Sequence, residues 1–147
     1  MIRYVHGDLI KLAKAGEFDV IGHGVNCYCR WNTGMRTRMK RNFHQAFMID
    51  KLTTQGDKGK LGTVGITHIQ GMNLYVVNCY IQHKYGNDRR HCDYDAMRSC
   101  MRHISKALEG LRIGLPAIGS GGSGGDWNII EKIIEEELEE VTVVLYE

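Results

Sequence analysis

The stretch Gly119-Ser120-Gly121-Gly122-Ser123-Gly124-Gly125 holds five glycines in seven positions. Backbone without Cβ atoms turns sharply and lets a ligand approach its N–H groups closely. Asp126 follows, placed to cap a helix, and Trp127, Ile130, Ile133, Ile134 and Leu138 recur at helical spacing. A glycine loop ending at the positive pole of a helix suits phosphate or pyrophosphate. The plain alternative is a tight connection with no ligand, but such a connection rarely needs so many glycines. Gly119-x-Gly121-x-x-Gly124 also matches the dinucleotide fingerprint. That fingerprint opens a βαβ unit with more sheet to follow, whereas only one helix and one strand remain here. The P-loop pattern fails, since no Gly-Lys-Ser/Thr closes the loop.

A second group of candidates lies near the start. His23, three residues before Asn26 and with Gly22 and Gly24 leaving room around its imidazole, is a candidate acid or base, with a packed core histidine as the plain reading. Asn26 opens the loop to Met35, where Thr33-Gly34 enters another helix and makes a second potential oxyanion cradle. Arg30, Arg36, Arg38, Lys40 and Arg41 surround that entrance, as a solvated face or as an attractor of phosphate. Asp8 suits either a helix N-cap or an acceptor for an amino group, and one carboxylate does not easily serve both. Cys27-x-Cys29 near His23 invites a zinc reading. Structural zinc sites usually repeat Cys-x-x-Cys, and Cys92 and Cys100 do not supply the second pair, so no metal is expected.

Positioning these residues requires a particular set of elements. Ile2–Val5 reads as a first strand, Leu9–Ala13 as a short helix and Asp19–Val25 as a second strand. A long helix from Met35 to Lys51 follows, with Met39, Phe43, Ala46 and Phe47 on its apolar face. Leu61–Gln70 and Leu74–Gln82 form a hairpin through Gly71-Met72-Asn73. The segment Gln82–His91 is a polar rim, Asp93–Leu108 a helix closed by Gly110, and Leu111–Ile118 a short apolar strand. Val141–Tyr146 is a buried final strand, and the six glutamates of Glu131–Glu140 are the wet side of the last helix. This order predicts an α/β sandwich with mixed sheet pairing. In such folds ligands sit beyond the carboxyl ends of parallel strands, where Asp8, Asn26–Met35 and Gly119–Asp126 would lie together.

The 147 residues fit one domain, and 43% hydrophobic with 24% charged residues is ordinary globular composition. A net charge of +2 does not by itself argue for nucleic acid, which is not expected as a partner. No stretch reaches transmembrane length, no signal pattern precedes the first strand, and five cysteines suit a reducing cytoplasm, so a soluble cytoplasmic domain without a membrane partner is expected.

Taken together, Gly7-Asp8-Leu9, His23-x-x-Asn26, Asn26-x-x-x-x-Trp31-x-x-Gly34 and Ile118-Gly-Ser-Gly followed by Trp127 resemble the macro domain family of ADP-ribose-binding modules. The pattern is most similar to the branch containing yeast ADP-ribose 1''-phosphate phosphatase and the terminal ADP-ribose protein glycohydrolase. The resemblance covers essentially the whole chain and implies a three-layer α/β/α sandwich with a six-stranded mixed sheet. It places adenine at Asp8 and Leu9, and the distal ribose at Asn26. It puts the diphosphate and distal ribose between Asn32, Thr33, Gly34 and Met35 on one side and Gly119, Ser120, Gly121, Gly122, Ser123 and Gly124 on the other. His23 and Asn26 become the catalytic candidates, no cofactor is required, and the ligand is ADP-ribose or ADP-ribose 1''-phosphate. The expected activity is hydrolysis of the latter. The alternatives are a reader that binds without turnover, or an ADP-ribosyl hydrolase acting on modified proteins or nucleic acid. Two departures stand out: Asn32-Thr33-Gly34 keeps one glycine where the family has two or three, and Ser123 stands where the glycohydrolase has an aspartate. With Lys84 only near that enzyme's lysine position, the lysine–aspartate mechanism is disfavoured.

Overall fold

A computed structural model describes residues 1–147. The elements run β1 (Ile2–Gly7), α1 (Leu9–Lys14), β2 (Val20–Asn26), α2 (Gly34–Asn42), α3 (His44–Lys51), a 3-10 turn at Lys58–Lys60, β3 (Val64–His68), β4 (Tyr75–Gln82), α4 (Tyr94–Ala107), β5 (Ile113–Leu115), α5 (Trp127–Glu137) and β6 (Val141–Tyr146). They build one mixed sheet of six strands in the order β1-β6-β5-β2-β4-β3. Only the β3–β4 hairpin is antiparallel; the other neighbours pair in parallel. The sheet is covered on both faces. Leu9, Ile10 and Ala13 of α1, Met39 of α2 and Ala46 and Phe47 of α3 share one core with Ile21, Val25, Val76 and Tyr80. Met97, Met101 and Ile104 of α4 and Ile130, Ile133 and Ile134 of α5 share the other with Val77, Cys79 and Ile81. Alternate residues along β4 enter opposite cores, the two-residue period of a strand buried on both faces. The expected three-layer sandwich is what the chain forms.

The differences from expectation are a divided helix and a shortened strand. The single helix expected from Met35 to Lys51 is two, parted at Phe43 with φ −134° and ψ 66°. Its apolar spacing is unbroken, so periodicity hides the bend. The bend lets α2 lie over β2 while α3 turns to β3 and β4, following a twisted sheet, and sinks the Phe43 ring into the core. The β5 strand is only three residues long because Pro116, with no N–H, cannot continue the ladder.

Below α3 lies a buried polar knot. The Asp50 carboxylate accepts from Trp31 Nε1 at 2.8 Å and from the Tyr80 hydroxyl, and none of the three is more than 3% exposed. Lys60 Nζ donates to Thr53 Oγ1 at 2.7 Å beside it. These bonds tie α3, β4 and the loop after β2 into one body. Replacing Asp50 with alanine strands two buried donors, so it should cost roughly 3 kcal/mol, read as a lower urea midpoint. An unchanged midpoint would show that the knot holds nothing.

Candidate functional site

The parallel neighbours β2 and β5 end at the same edge of the sheet, then send their chains to opposite faces. After β2 the chain crosses to α2, and after β5 it crosses to α5. Two loops that part in this way leave a crevice between them, the position where open α/β sheets bind ligands. That topology sets the Asn32–Met35 and Gly119–Gly124 loops as the two sides of such a position.

The glycines of the second wall divide by role. Gly119 and Gly124 have φ of +78° and +74°, a region closed to most side chains. A Cβ on Gly125 would lie 2.5 Å from the Gly119 carbonyl oxygen, which accepts the Gly125 N–H at 2.8 Å. These three shape the turn. Gly121 and Gly122 are exposed and outside the left-handed region, with open space where a Cβ would stand. The N–H groups of Gly121, Gly122 and Ser123 have no protein acceptor. The loop is held by its other atoms. The Ser123 carbonyl accepts from His91 and Cys92, and its hydroxyl donates to Gln82 Oε1, whose amide in turn donates to the Lys84 carbonyl. Ser123 thus engages Gln82 rather than Lys84. Asp126 caps α5 through Asn128, as its position predicts.

The first wall ends at an uncapped helix. Asp8, Asp93 and Asp126 cap α1, α4 and α5, but the Thr33 hydroxyl makes no capping bond to α2. The N–H groups of Gly34, Met35 and Arg36 have no protein acceptor, no carboxylate stands in the first turn, and Gly34 takes φ +57°. Such an end attracts anions. Asn26 is fully buried and shapes this loop. Its Oδ1 accepts from Tyr28 and Arg30 N–H at 2.9 and 3.3 Å, and its Nδ2 donates to the Arg30 carbonyl. Both polar atoms are spent on the turn.

His23 lies beneath α2 in the core, 0% exposed, with its ring edge-on to Trp31 at 4.7 Å. The Asn78 amide donates to the Ala46 carbonyl, so its Oδ1 faces His23 Nε2 at 2.8 Å. Nε2 therefore carries the proton and Nδ1 is a lone pair with no partner. Burial lowers the His23 pKa to about 4, so the ring is neutral at pH 7. The flanking glycines do not make room for it. Alternation puts them on the opposite face, where a Cβ on Gly22 would meet Leu115 at 2.9 Å and one on Gly24 would meet Ile81 at 2.5 Å. They admit Leu115 of β5 and Ile81 of β4 instead.

Asp8 is committed as well. Its Oδ1 caps Ile10 and Lys11 and its Oδ2 pairs with Arg38 at 2.7 Å, a hydrogen bond that holds its carboxyl below the usual range. Leu9 is 1% exposed, packed in the α1 core. Cys27 and Cys29 bond different carbonyls, those of Gln82 and Asp50. Four residues that shape the site carry no motif: Arg38, Asp50, Asn78 and Gln82. Asn78 and Gln82 leave a trace, being polar interruptions of the apolar run Tyr75–Gln82.

No protein-family model matches the chain. It is 28% identical over 152 residues to an uncharacterized 17.5 kDa protein of Enterobacteria phage T4, covering 99% of this chain and 95% of that one. Among solved structures, a protein of unknown function from Bacteroides thetaiotaomicron superposes with a TM-score of 0.80 at 28% identity, covering 100% of this chain and 98% of that one. A macrodomain protein from Streptomyces coelicolor gives 0.77 at 21% identity over 98% of both chains. Thermosipho africanus DarTG, solved in complex with ADP-ribose, gives 0.76 at 15% identity, covering 99% of this chain and 42% of that one. The fold is that of the macrodomains. No helix is long and apolar enough to cross a membrane.

The His23 geometry fixes a pH dependence. An unfolded histidine takes a proton near pH 6.5, but the buried ring does so only near pH 4. Between those values the unfolded state binds more protons, so His23 stabilises the fold above pH 6.5 and loses that contribution as pH falls toward 4. From pH 6.5 to 5 the loss is about 2 kcal/mol. Urea unfolding of His23→Gln should show that much less change than wild type over the same interval. Equal slopes would mean that His23 is solvated and free to titrate.

Proposed function

We propose that this protein binds ADP-ribose, with the diphosphate between the Asn32–Met35 and Gly119–Gly124 loops. The observation that carries this reading is the pair of unsatisfied N–H sets, Gly34 to Arg36 and Gly121 to Ser123, at the ends of two adjacent parallel strands. Gly121 and Gly122 let phosphate oxygens reach the amides, and the α2 N-terminus supplies the opposing positive pole. Adenine lies toward Asp8 and Leu9, where an amino group shares a carboxylate already bonded to Arg38. The distal ribose lies at the Asn26 turn and against Ser120, Ser123 and Gly124. The T. africanus neighbour, solved in complex with ADP-ribose and sharing this fold over 42% of its own chain, supports this reading.

Recognition is favoured over turnover by the state of the candidate catalyst. Hydrolysis of ADP-ribose 1''-phosphate through His23 requires the imidazole to reach the phosphate and exchange a proton near neutral pH. A ring fully buried under α2, with a pKa of about 4, positions the wall of the crevice instead. Ser123 offers no carboxylate for the glycohydrolase route, and both polar atoms of Asn26 already bond its own turn. A reader of ADP-ribose is the function that this geometry supports best.

Calorimetry should give micromolar affinity for ADP-ribose, about −8 kcal/mol. Gly122→Val should abolish binding yet leave folding almost unchanged, since its side chain enters open space. Gly125→Ala should destabilise the fold by more than about 1 kcal/mol through overpacking. A folded Gly122→Val variant that binds like wild type would remove the site. Phosphate release from ADP-ribose 1''-phosphate should stay at background; turnover abolished by His23→Ala in a protein that still binds ADP-ribose would instead establish the phosphatase.

A further inference from the structure

On the β4 side of the crevice, the loops leaving β2 and β4 build a ladder of flat side chains that ADP-ribose binding leaves unused. The Tyr28 ring lies 5.3 Å from the His83 imidazole and 6.0 Å from the Tyr85 ring. The Arg30 guanidinium sits 4.8 Å over Tyr85, and further along Arg90 sits 4.4 Å over Tyr94. Tyr85 is 43% exposed, and Arg30 and Arg90 are exposed. The ladder is braced from below. His83 Nε2 meets the Gly56 carbonyl at 3.2 Å, and Gly56, at φ +82°, brings bare backbone against Tyr28, where a Cβ would stand 3.2 Å from the ring.

Charge is concentrated in the same place. Across Cys27–Asn32 and His83–Asp95, the four cations Arg30, Lys84, Arg89 and Arg90 stand against the three carboxylates Asp88, Asp93 and Asp95. Asp88 is itself engaged by His91 at 2.8 Å and Arg89 at 3.5 Å. Asp93 caps α4, and the cations beside the rings, Arg30, Lys84 and Arg90, are all exposed.

We propose that this ladder binds single-stranded nucleic acid, with bases stacking at Tyr28 and Tyr85 and backbone phosphates along Arg30, Lys84 and Arg90. An exposed ring at Tyr85 and a half-buried one at Tyr28, interleaved with cations, match what an unpaired strand presents, a π-face at every base and a charge at every phosphate. A duplex hides its base faces, and an acidic peptide uses the cations but leaves the rings idle. The ladder stands beside the ADP-ribose crevice and does not depend on it.

The test is fluorescence anisotropy of the full chain with a labelled single-stranded DNA of about 12 nucleotides, without ADP-ribose. Wild type should bind at low salt. Tyr85→Ala and Tyr28→Ala should each weaken binding about tenfold, while Tyr85→Phe retains it. Arg30→Ala should weaken binding and flatten its salt dependence, whereas Lys106→Ala, an exposed charge on α4 away from the ladder, should not. Thermal melts establish that each variant is folded. The proposal is overturned by no binding, by folded tyrosine variants that bind like wild type, by equal binding of duplex DNA or polyglutamate, or by an equal loss in Lys106→Ala.

Discussion

The parallel pairing of β2 with β5 is the constraint on which the rest of the molecule depends. It is short, joining Val20 to Ile113 and Ile21 to Gly114, yet it sets two chain exits side by side and sends them to opposite faces. Close approach here is possible only because of what is missing. Gly22 leaves space for Leu115, Gly24 for Ile81 and Ile118, and Gly114 for the Phe18 ring, which a Cβ would meet at 2.7 Å. Filling any of these positions would push the strands apart and close or skew the crevice.

Buried polar groups then fix the crevice walls. Asn26 bonds its own loop, Trp31 in that loop bonds Asp50, and the edge of Trp31 meets His23, which bonds Asn78. On the other wall Ser123 bonds Gln82 at the end of β4. Each of these groups is costly to bury unpaired, so the arrangement resists alternatives. The polar side chains are spent on shape, which leaves backbone amides as the groups available to a ligand. Preorganised amides suit an oxyanion that must be recognised and kept.

The layers, the order of elements along the chain and the loop positions were legible in the sequence because they rest on periodicity and on glycine, aspartate and proline at element ends. Asp126 is the cap its position predicts, and Pro116 marks where β5 stops. What was not legible depends on facing. His23 between two glycines reads as either an open imidazole or a packed core residue, and alternation, which sends the glycines to one face and the histidine to the other, decides for the core. Asp8 reads as either cap or ligand because its partner, Arg38, is thirty residues away. The bend at Phe43 is invisible since the apolar spacing continues through it. The ladder of Tyr28, His83 and Tyr85 joins two loops that only the β2–β4 pairing brings together.

The central claim is that free amides of two loops, and not a catalytic side chain, meet the ligand. An amide chemical-shift titration with ADP-ribose tests it directly. The largest changes should fall on Gly34–Arg36 and Gly121–Ser123, with little change at the opposite end of the sheet, where Gly16, Asn73 and Arg112 line a hollow of about 380 Å³. Changes concentrated in that hollow, or none at millimolar ligand, would contradict the account.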